Sequence, residues 1–281
     1  MYPDTDYYGL IGFCPVPHAD RAPDDGTNDM GDVPSHLDDL RYDPDAHAMM
    51  LDFDGTLVNI APTPDAVIFE DHDGVLLSRL AAKHQGAIAI VSGRAIDDLE
   101  HFMAEFPGAM AGGHGAELRI NGKRRLADDV DQIKLEQLKE SVRAFADSDP
   151  RLLIEDKTTG IVLHFRAHPD CEDKAHSFAE ALVQGHEGFD VQHAKMAVEI
   201  RPDGASKAGA MEAILGEPQF AGRKPFFAGD DVTDEAAFEW VNAKGGISVK
   251  IGPEPTRAQY CTSTPRSFKA WLNRALVTAS N

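Results

Sequence analysis

Cysteine, positive charge and long apolar runs are all scarce in this sequence of 281 residues. The three cysteines, Cys14, Cys171 and Cys261, lie far apart and none belongs to a CxxC pair, so their pattern predicts neither a disulfide framework nor a zinc site. No apolar run approaches the roughly 18–20 residues that a membrane span needs. The first residues lack the basic segment followed by an apolar one that is typical of a secretory signal, and we expect a cytoplasmic protein.

Acidic residues outnumber basic ones by 47 to 27, and the formal net charge is −20. This excess argues against nucleic acid or an anionic membrane surface as a partner. Part of it is local, because residues 1–45 contain eleven Asp and only two Arg, together with six Pro and four Gly. The same segment lacks hydrophobic periodicity. We therefore expect residues 1–45 to form an acidic, disordered N-terminal tail.

From residue 46 onward, apolar runs of strand length alternate with helical patterns. Residues 48–51, 87–91 and 225–228 are such runs, and each is followed by a polar turn that contains glycine. Strands that alternate with helices predict an α/β fold with a doubly wound parallel sheet. In such sheets ligands bind at the carboxyl ends of the strands.

The middle of the chain has a different order of elements: helix, two strands, helix, two strands. This order predicts an α+β module in which an antiparallel sheet carries helices on one face. It interrupts the doubly wound pattern. The predicted organisation is therefore a core domain of residues 46–127 and 198–281, with an α+β domain inserted at 128–197.

Two aspartates follow the first apolar run, in the motif Asp52-Phe53-Asp54-Gly55-Thr56. Residues two apart in a strand project to the same side, so the carboxylates of Asp52 and Asp54 can converge on one point. One carboxylate can attack a phosphoryl group, while the other protonates the leaving oxygen. For the pair taken alone, the alternative is two solvated aspartates in an ordinary turn.

Two further motifs supply groups that suit a phosphate. Ser92 and Gly93 follow the next apolar run and offer a hydroxyl and a main-chain N–H at a helix start, although Ser-Gly is also an ordinary N-cap. Lys207 opens a later helix. A lysine at the start of a helix is usually a surface residue. Next to a nucleophile, however, a single cation stabilises the negative charge of the phosphoryl group during its transfer.

The last motif places four carboxylates within six residues, after the run at 225–228. They are Asp230, Asp231, Asp234 and Glu235. Such crowding is electrostatically unfavourable unless a cation neutralises it, and Mg²⁺ prefers carboxylate oxygens. An acidic helix start is the alternative.

In this order and spacing, the four motifs resemble the haloacid-dehalogenase-like phosphatase superfamily. The resemblance implies a Rossmann-like phosphatase core with a cap domain. It implies Asp52 as nucleophile, Asp54 as general acid and base, and Ser92, Gly93 and Lys207 as the groups that hold the phosphate. It also implies Mg²⁺ as cofactor, held by Asp52, Asp230 and the main-chain carbonyl of Asp54. Asp231 and Asp234 would complete the surroundings of the metal site.

A second set of segments resembles the trehalose-6-phosphate phosphatases. They are IAPTPD at 60–65, GHGAE at 113–117, VLHFR at 162–166, KMAVEIRP at 195–202 and GGISVKIG at 245–252. One departure is Ala208, where that family usually has glycine after the motif lysine. The resemblance implies a small-molecule sugar phosphate, trehalose 6-phosphate, as substrate. We also expect the enzyme to be a monomer. Four charged residues are implied as substrate contacts: Glu117, Lys157, Arg166 and Glu199.

Two alternatives stay open at the level of sequence. A phosphatase of the same architecture can act on sucrose 6-phosphate or mannosyl-3-phosphoglycerate. A catalytically silent domain can bind a sugar phosphate without hydrolysing it, although the four motifs are intact here.

Overall fold

Two β-sheets carry most of the chain in the computed structural model, which describes residues 34–61, 66–127, 130–194 and 196–278. The strands are β1 (Ser35–His36), β2 (His47–Leu51), β3 (Ile88–Val91), β4 (Ala109–Gly112), β5 (Glu117–Ile120), β6 (Lys123–Leu126), β7 (Leu153–Asp156), β8 (Ile161–His164), β9 (Phe189–Ala194), β10 (Ala197–Pro202), β11 (Lys224–Gly229), β12 (Ile247–Ile251) and β13 (Tyr260–Thr262). The helices are α1 (Asp71–Lys83), α2 (Ile96–Met103), α3 (Gln132–Asp147), α4 (Glu172–Val183), α5 (Lys207–Leu215), α6 (Glu235–Ala243) and α7 (Pro265–Thr278). Within these ranges, no helix combines the length and the apolar character that crossing a membrane requires.

The larger sheet has nine strands in the order β1-β13-β12-β11-β2-β3-β4-β5-β6. The strands from β1 to β4 in that order are parallel, and β5 and β6 are added antiparallel at one edge. Alternation along β2 sends Met49 and Leu51 into an apolar cluster with α1, α2 and α7, and Ala48 and Met50 into one with α5 and α6. Because helices cover both faces, the predicted doubly wound parallel sheet is confirmed.

The second sheet has four antiparallel strands in the order β7-β8-β10-β9. Helices α3 and α4 cover one of its faces and share a separate apolar core with Leu163, Val198 and Ile200. The predicted α+β insertion is confirmed, and residues 130–202 are called the cap below. Strand β10 runs past the predicted boundary at residue 197, because Val198 and Ile200 still pack into the core of the cap.

The N-terminal acidic segment is shorter than predicted at its carboxyl end. Residues 34–45, assigned above to the tail at 1–45, pack against the large sheet. Leu37 is buried in the core, and the Tyr42 ring lies 5.7 Å from the ring of Trp271 in α7. Both side chains pack against the apolar core, which stabilises this segment on the sheet. The rest of the predicted tail lies outside the described residues.

Truncation of Leu37 tests whether this segment belongs to the core. The side chain is 1% exposed, so Leu37→Ala should lower the free energy of unfolding by about 2–5 kcal/mol. Asp39→Ala, at an exposed position of the same short 3-10 helix, is the matched control and should change it by less than about 0.5 kcal/mol. Urea denaturation followed by circular dichroism measures both values. Equal stabilities would mean that the segment does not contribute to the core.

Candidate active site

A cleft of about 1370 Å³ separates the carboxyl ends of the central strands from the open face of the cap. Parallel strands bring their carboxyl ends to one edge of a sheet, and here Asp52 follows β2, Ser92 follows β3 and Asp230 follows β11. Lys207 joins them from the start of α5, 155 positions from Asp52 along the chain. Residues from all four motifs therefore line one cleft.

Asp52 and Lys207 form a buried ion pair at the floor of this cleft. Lys207 Nζ lies 2.7 Å from Asp52 Oδ1 and 2.6 Å from Asp234 Oδ1, and none of the three side chains is more than 5% exposed. Burial raises the pKa of Asp52 to about 6, although the charge of Lys207 opposes this shift. Burial disfavours the charged form of Lys207, but Asp52 and Asp234 together raise its pKa above the ordinary value. Lys207 therefore stays charged and fixes the orientation of the Asp52 carboxylate.

Asp234 holds the loop after β11 as well as the lysine. Its Oδ2 atom accepts the main-chain N–H groups of Asp230 and Asp231, each at 3.1 Å. With Oδ1 on Lys207, both oxygens of Asp234 are used inside the protein. Asp234 is therefore a positioning residue for Lys207 and for the aspartate loop.

Asp230 lies against Gly55 of the first motif. A Cβ atom at residue 55 would lie 1.8 Å from Asp230 Oδ2, and the φ of +73° at Gly55 is one that other residues rarely adopt. The buried Lys250 of β12 donates a hydrogen bond to the main-chain carbonyl of Asp230. Burial, followed by the charges of Asp52 and Asp234, raises the pKa of Asp230 to about 7. In such surroundings, a nearby cation stabilises the ionised form of the carboxyl group.

Three carboxylates converge closely enough to hold a metal ion. Ligand oxygens of Asp52, Asp230 and Asp234 lie within 4.8 Å of one another, and no other such group occurs among the described residues. Since Asp234 uses its oxygens inside the protein, Asp52 and Asp230 are left to face a cation.

Asp231, predicted as part of the metal site, is outside this group although it lines the cleft. Its Oδ1 accepts the main-chain N–H of Val232 at 2.7 Å, and its Oδ2 accepts the hydroxyl of Thr233 at 3.1 Å. The carboxylate thus caps the short 3-10 helix Val232–Asp234. Local capping takes up the oxygens that the sequence assigned to the metal site.

The carboxylate of Asp54 is paired with Arg94. Nε of Arg94 donates to Asp54 Oδ2 at 2.5 Å and Nη2 donates to Oδ1 at 2.8 Å, a bidentate arrangement. The guanidinium lies 5.6 Å from the ring centre of Phe53 and 5.4 Å from that of Phe102. The cation–π contacts with these two rings stabilise the guanidinium of Arg94 in this position. The Asp54 side chain remains 36% exposed, so it can meet a leaving group bound in the cleft.

The Ser92–Gly93 turn is shaped by His114. The main-chain N–H of His114 donates to the carbonyl of Ser92 at 3.0 Å, and the φ of His114 is 56°, in the left-handed region. A Cβ atom at Gly93 would lie 2.6 Å from the ring of His114, so glycine is needed there. Oγ of Ser92 accepts the main-chain N–H of Arg94 at 3.1 Å. This turn presents the hydroxyl of Ser92 and main-chain N–H groups near Asp52.

Two of the four predicted sugar contacts lie in the cleft. Lys157 Nζ is 3.2 Å from Glu199 Oε1, and both side chains line the roof. Glu117 is instead buried, and its carboxylate accepts the main-chain N–H of Ile96 at the start of α2 at 3.4 Å. Arg166 is exposed and is not part of the lining. The structure does not bring Glu117 into the cleft, because β5 directs this side chain beneath α2, which its motif does not reveal.

The lining also contains residues that were not predicted as site residues, among them Arg94, His114 and Arg201. Arg94 directly follows Ser92 and Gly93, and His114 lies inside the segment GHGAE, so a signal for both was present in the sequence. Arg201 follows Glu199 by two residues in β10, and strand periodicity places both side chains on one face.

The site combines a buried carboxylate fixed by a lysine, a second carboxylate two residues later, and a turn that presents a hydroxyl and main-chain N–H groups. These groups can transfer a phosphoryl group to Asp52 and on to water. With the doubly wound core and the cap, this site defines a haloacid-dehalogenase-like phosphatase. The family model for trehalose-phosphatase matches residues 50–266. The chain belongs to the trehalose-phosphatase family.

Relatives and solved structures agree with this placement. The chain is 40% identical over 232 residues to a probable trehalose-phosphate phosphatase of Sinorhizobium fredii, covering 82% of this chain and 86% of that protein. It is 37% identical over 227 residues to the trehalose-6-phosphate phosphatase of Escherichia coli, covering 80% and 85%. The crystal structure of a trehalose-6-phosphate phosphatase related protein matches with a TM-score of 0.62 and 26% identity, over 82% of this chain and 96% of that one.

Removal of the Asp234 carboxylate tests its positioning role. Asp234→Ala leaves Lys207 buried with one partner and frees the aspartate loop, so we expect a loss of about 3 kcal/mol in the free energy of unfolding. We also expect at least about a tenfold lower kcat on an aryl phosphate, since Asp52 loses its fixed orientation. Asp231→Ala is the matched control and should cost about 1 kcal/mol, as the loss of a cap. Equal effects of the two substitutions on stability and kcat would contradict the role given to Asp234.

Proposed function

We propose that this protein hydrolyses trehalose 6-phosphate to trehalose and inorganic phosphate through a phosphorylated Asp52. The observation that carries the proposal is the position of Asp52, which Lys207 holds at the floor of a cleft roofed by a polar cap surface. The names of the two relatives described above include trehalose phosphate. The cytoplasmic location and the monomeric state stay predictions from the sequence.

The chemistry takes two steps at the same phosphorus atom. In the first, an oxygen of Asp52 forms a bond to phosphorus while the bond to the sugar oxygen breaks, and Asp54 gives its proton to that oxygen. In the second, water attacks the phosphorus, Asp54 takes a proton from the water, and the bond to Asp52 breaks. Ser92 and the N–H groups beside Gly93 hold the other phosphate oxygens, and Lys207 offsets the charge that develops on them.

The residues present fit a magnesium ion. Asp52 and Asp230 would hold it, because their oxygens converge within 4.8 Å. Burial, followed by the charges of Asp52 and Asp234, raises the pKa of Asp230, and a cation would stabilise its ionised form. When bound, Mg²⁺ offsets the negative charge of the phosphate and of the carboxylates around it. Gly55 serves this arrangement by allowing Asp230 to approach the first motif.

The cap is proposed to bind the sugar. Lys157 and Glu199 together present a cation and an anion to the cleft, and charged groups are strong hydrogen-bond partners for hydroxyls. They stand on the cap, opposite the phosphate-binding turn of the core. A disaccharide that reaches from one to the other excludes water from Asp52.

Phosphate release from a panel of sugar phosphates tests this function. With magnesium present, we expect kcat/KM for trehalose 6-phosphate to exceed the values for sucrose 6-phosphate and mannosyl-3-phosphoglycerate by at least about tenfold. Asp52→Asn should abolish turnover, because an amide cannot form the acyl phosphate, while binding of the substrate persists. A preference for either other substrate would overturn the assignment. Turnover by a folded Asp52→Asn protein would overturn the covalent mechanism.

Removal of the metal tests the cofactor. Chelation should stop phosphate release and added Mg²⁺ should restore it, since the carboxylates alone repel the phosphate. Mg²⁺ should also raise the melting temperature of the unmodified protein, a readout that is independent of activity. Asp230→Ala should remove this shift, whereas Asp231→Ala should largely keep it because that carboxylate caps its own turn. A full shift in Asp230→Ala would place the ion elsewhere.

A further inference from the structure

Among the described residues, four Lys or Arg side chains line the cleft: Arg94, Lys157, Arg201 and Lys207. Three of them have a carboxylate partner: Arg94 is paired with Asp54, Lys157 with Glu199, and Lys207 with Asp52 and Asp234. The guanidinium of Arg201 makes no hydrogen bond or ion pair with any residue of the described ranges. It is therefore the cation of the lining that is available to an anionic ligand.

Arg201 lies at the inner end of the cap, next to the core. Alternation along β10 buries Val198 and Ile200 in the core of the cap, so Glu199 and Arg201 share the face that lines the cleft. Glu199 is two residues earlier in the strand, about 7 Å from Arg201 along β10 and on the side away from the connection to Lys207. Arg201 thus lies between the sugar-binding pair of the cap and the floor that carries Asp52.

The surroundings of His114 place Arg201 close to the phosphate-binding turn. Burial, followed by the positive charges of Lys207 and Arg201, lowers the pKa of His114 to about 4. The His114 ring lies against Gly93. A neutral histidine cannot offset the charge of a phosphate, so the positive charge beside this turn comes from the lysine and from Arg201.

The floor itself has an excess of negative charge. Five carboxylates lie in it or directly beneath it: Asp52, Asp54, Asp230, Asp231 and Asp234. Among the described residues, Lys207, Arg94 and the buried Lys250 offset them in part. A divalent cation offsets the remainder, but a dianionic phosphate still has to be bound. A guanidinium suits this task, because its planar donors match two phosphate oxygens at once.

We infer that Arg201 contacts the phosphate group of the substrate, as a further phosphate-binding residue that the cap contributes to the core site. The inference rests on the proposed function for the natural substrate, but it applies to any phosphomonoester that reaches Asp52. Because β10 leads from the cap back to Lys207, the contact ties the cap to the reacting group.

The test compares trehalose 6-phosphate with 4-nitrophenyl phosphate, which has no sugar for the cap to bind. Arg201→Ala should lower kcat/KM for both substrates by a similar factor, about 10- to 100-fold, and raise the inhibition constant of inorganic phosphate by a similar factor. Arg201→Lys should recover part of each loss. Lys157→Ala is the contrasting variant and should penalise trehalose 6-phosphate more than the aryl phosphate. Arg79→Ala, at an exposed position of α1, is the control and should match the unmodified protein.

Each outcome decides between roles for Arg201. A loss confined to trehalose 6-phosphate would make it a sugar contact, and unchanged constants would make it a surface cation, so either result overturns the inference. If Arg201→Ala does not fold, Arg201→Lys and Arg201→Gln are compared by the same phosphate inhibition. If the unmodified protein rejects trehalose 6-phosphate but cleaves the aryl phosphate, the proposed substrate fails while the phosphate measurements still test Arg201.

Discussion

The contact of Lys207 with Asp52 and Asp234 is the interaction on which the rest of the site depends. Two buried carboxylates next to each other repel, and the lysine between them makes the arrangement possible. The contact also joins segments that are distant in sequence, since Asp52 ends a central strand and Asp234 closes the loop after β11. The nucleophile, the lysine and the aspartate loop therefore form one structural unit.

Strand β10 connects this unit to the cap by using its two faces differently. One face, with Val198 and Ile200, holds the cap together, while the other presents Glu199 and Arg201 to the cleft. The same residues that stabilise the cap thus fix the direction of its charged side chains. A single strand therefore supplies both the apolar packing of the cap and the charged side chains of the cleft roof.

The chain as a whole is negatively charged, whereas the site needs positive charge to bind a phosphate. A protein with a net charge of −20 binds an anionic substrate only where cations are concentrated. The cleft meets this need with a few arginines and lysines, most of which are held by carboxylates. This arrangement keeps the cations in place, but it leaves little free positive charge, which is why a metal ion fits beside Asp230.

The sequence by itself determined the class of fold, the four motifs and the family, because strand periodicity and short motifs are local properties. It also placed Lys157 in the inserted domain, but it put Glu199 just beyond the predicted boundary at residue 197. It misjudged Leu37 and Tyr42, whose burial depends on a distant strand and helix. Only the tertiary structure decided which charged side chains meet: it set Glu117 beneath α2, turned Asp231 to its own cap and left Arg201 without a carboxylate partner in the described chain. The physical reason is that pairing of charges depends on distances across the fold, which no local pattern records.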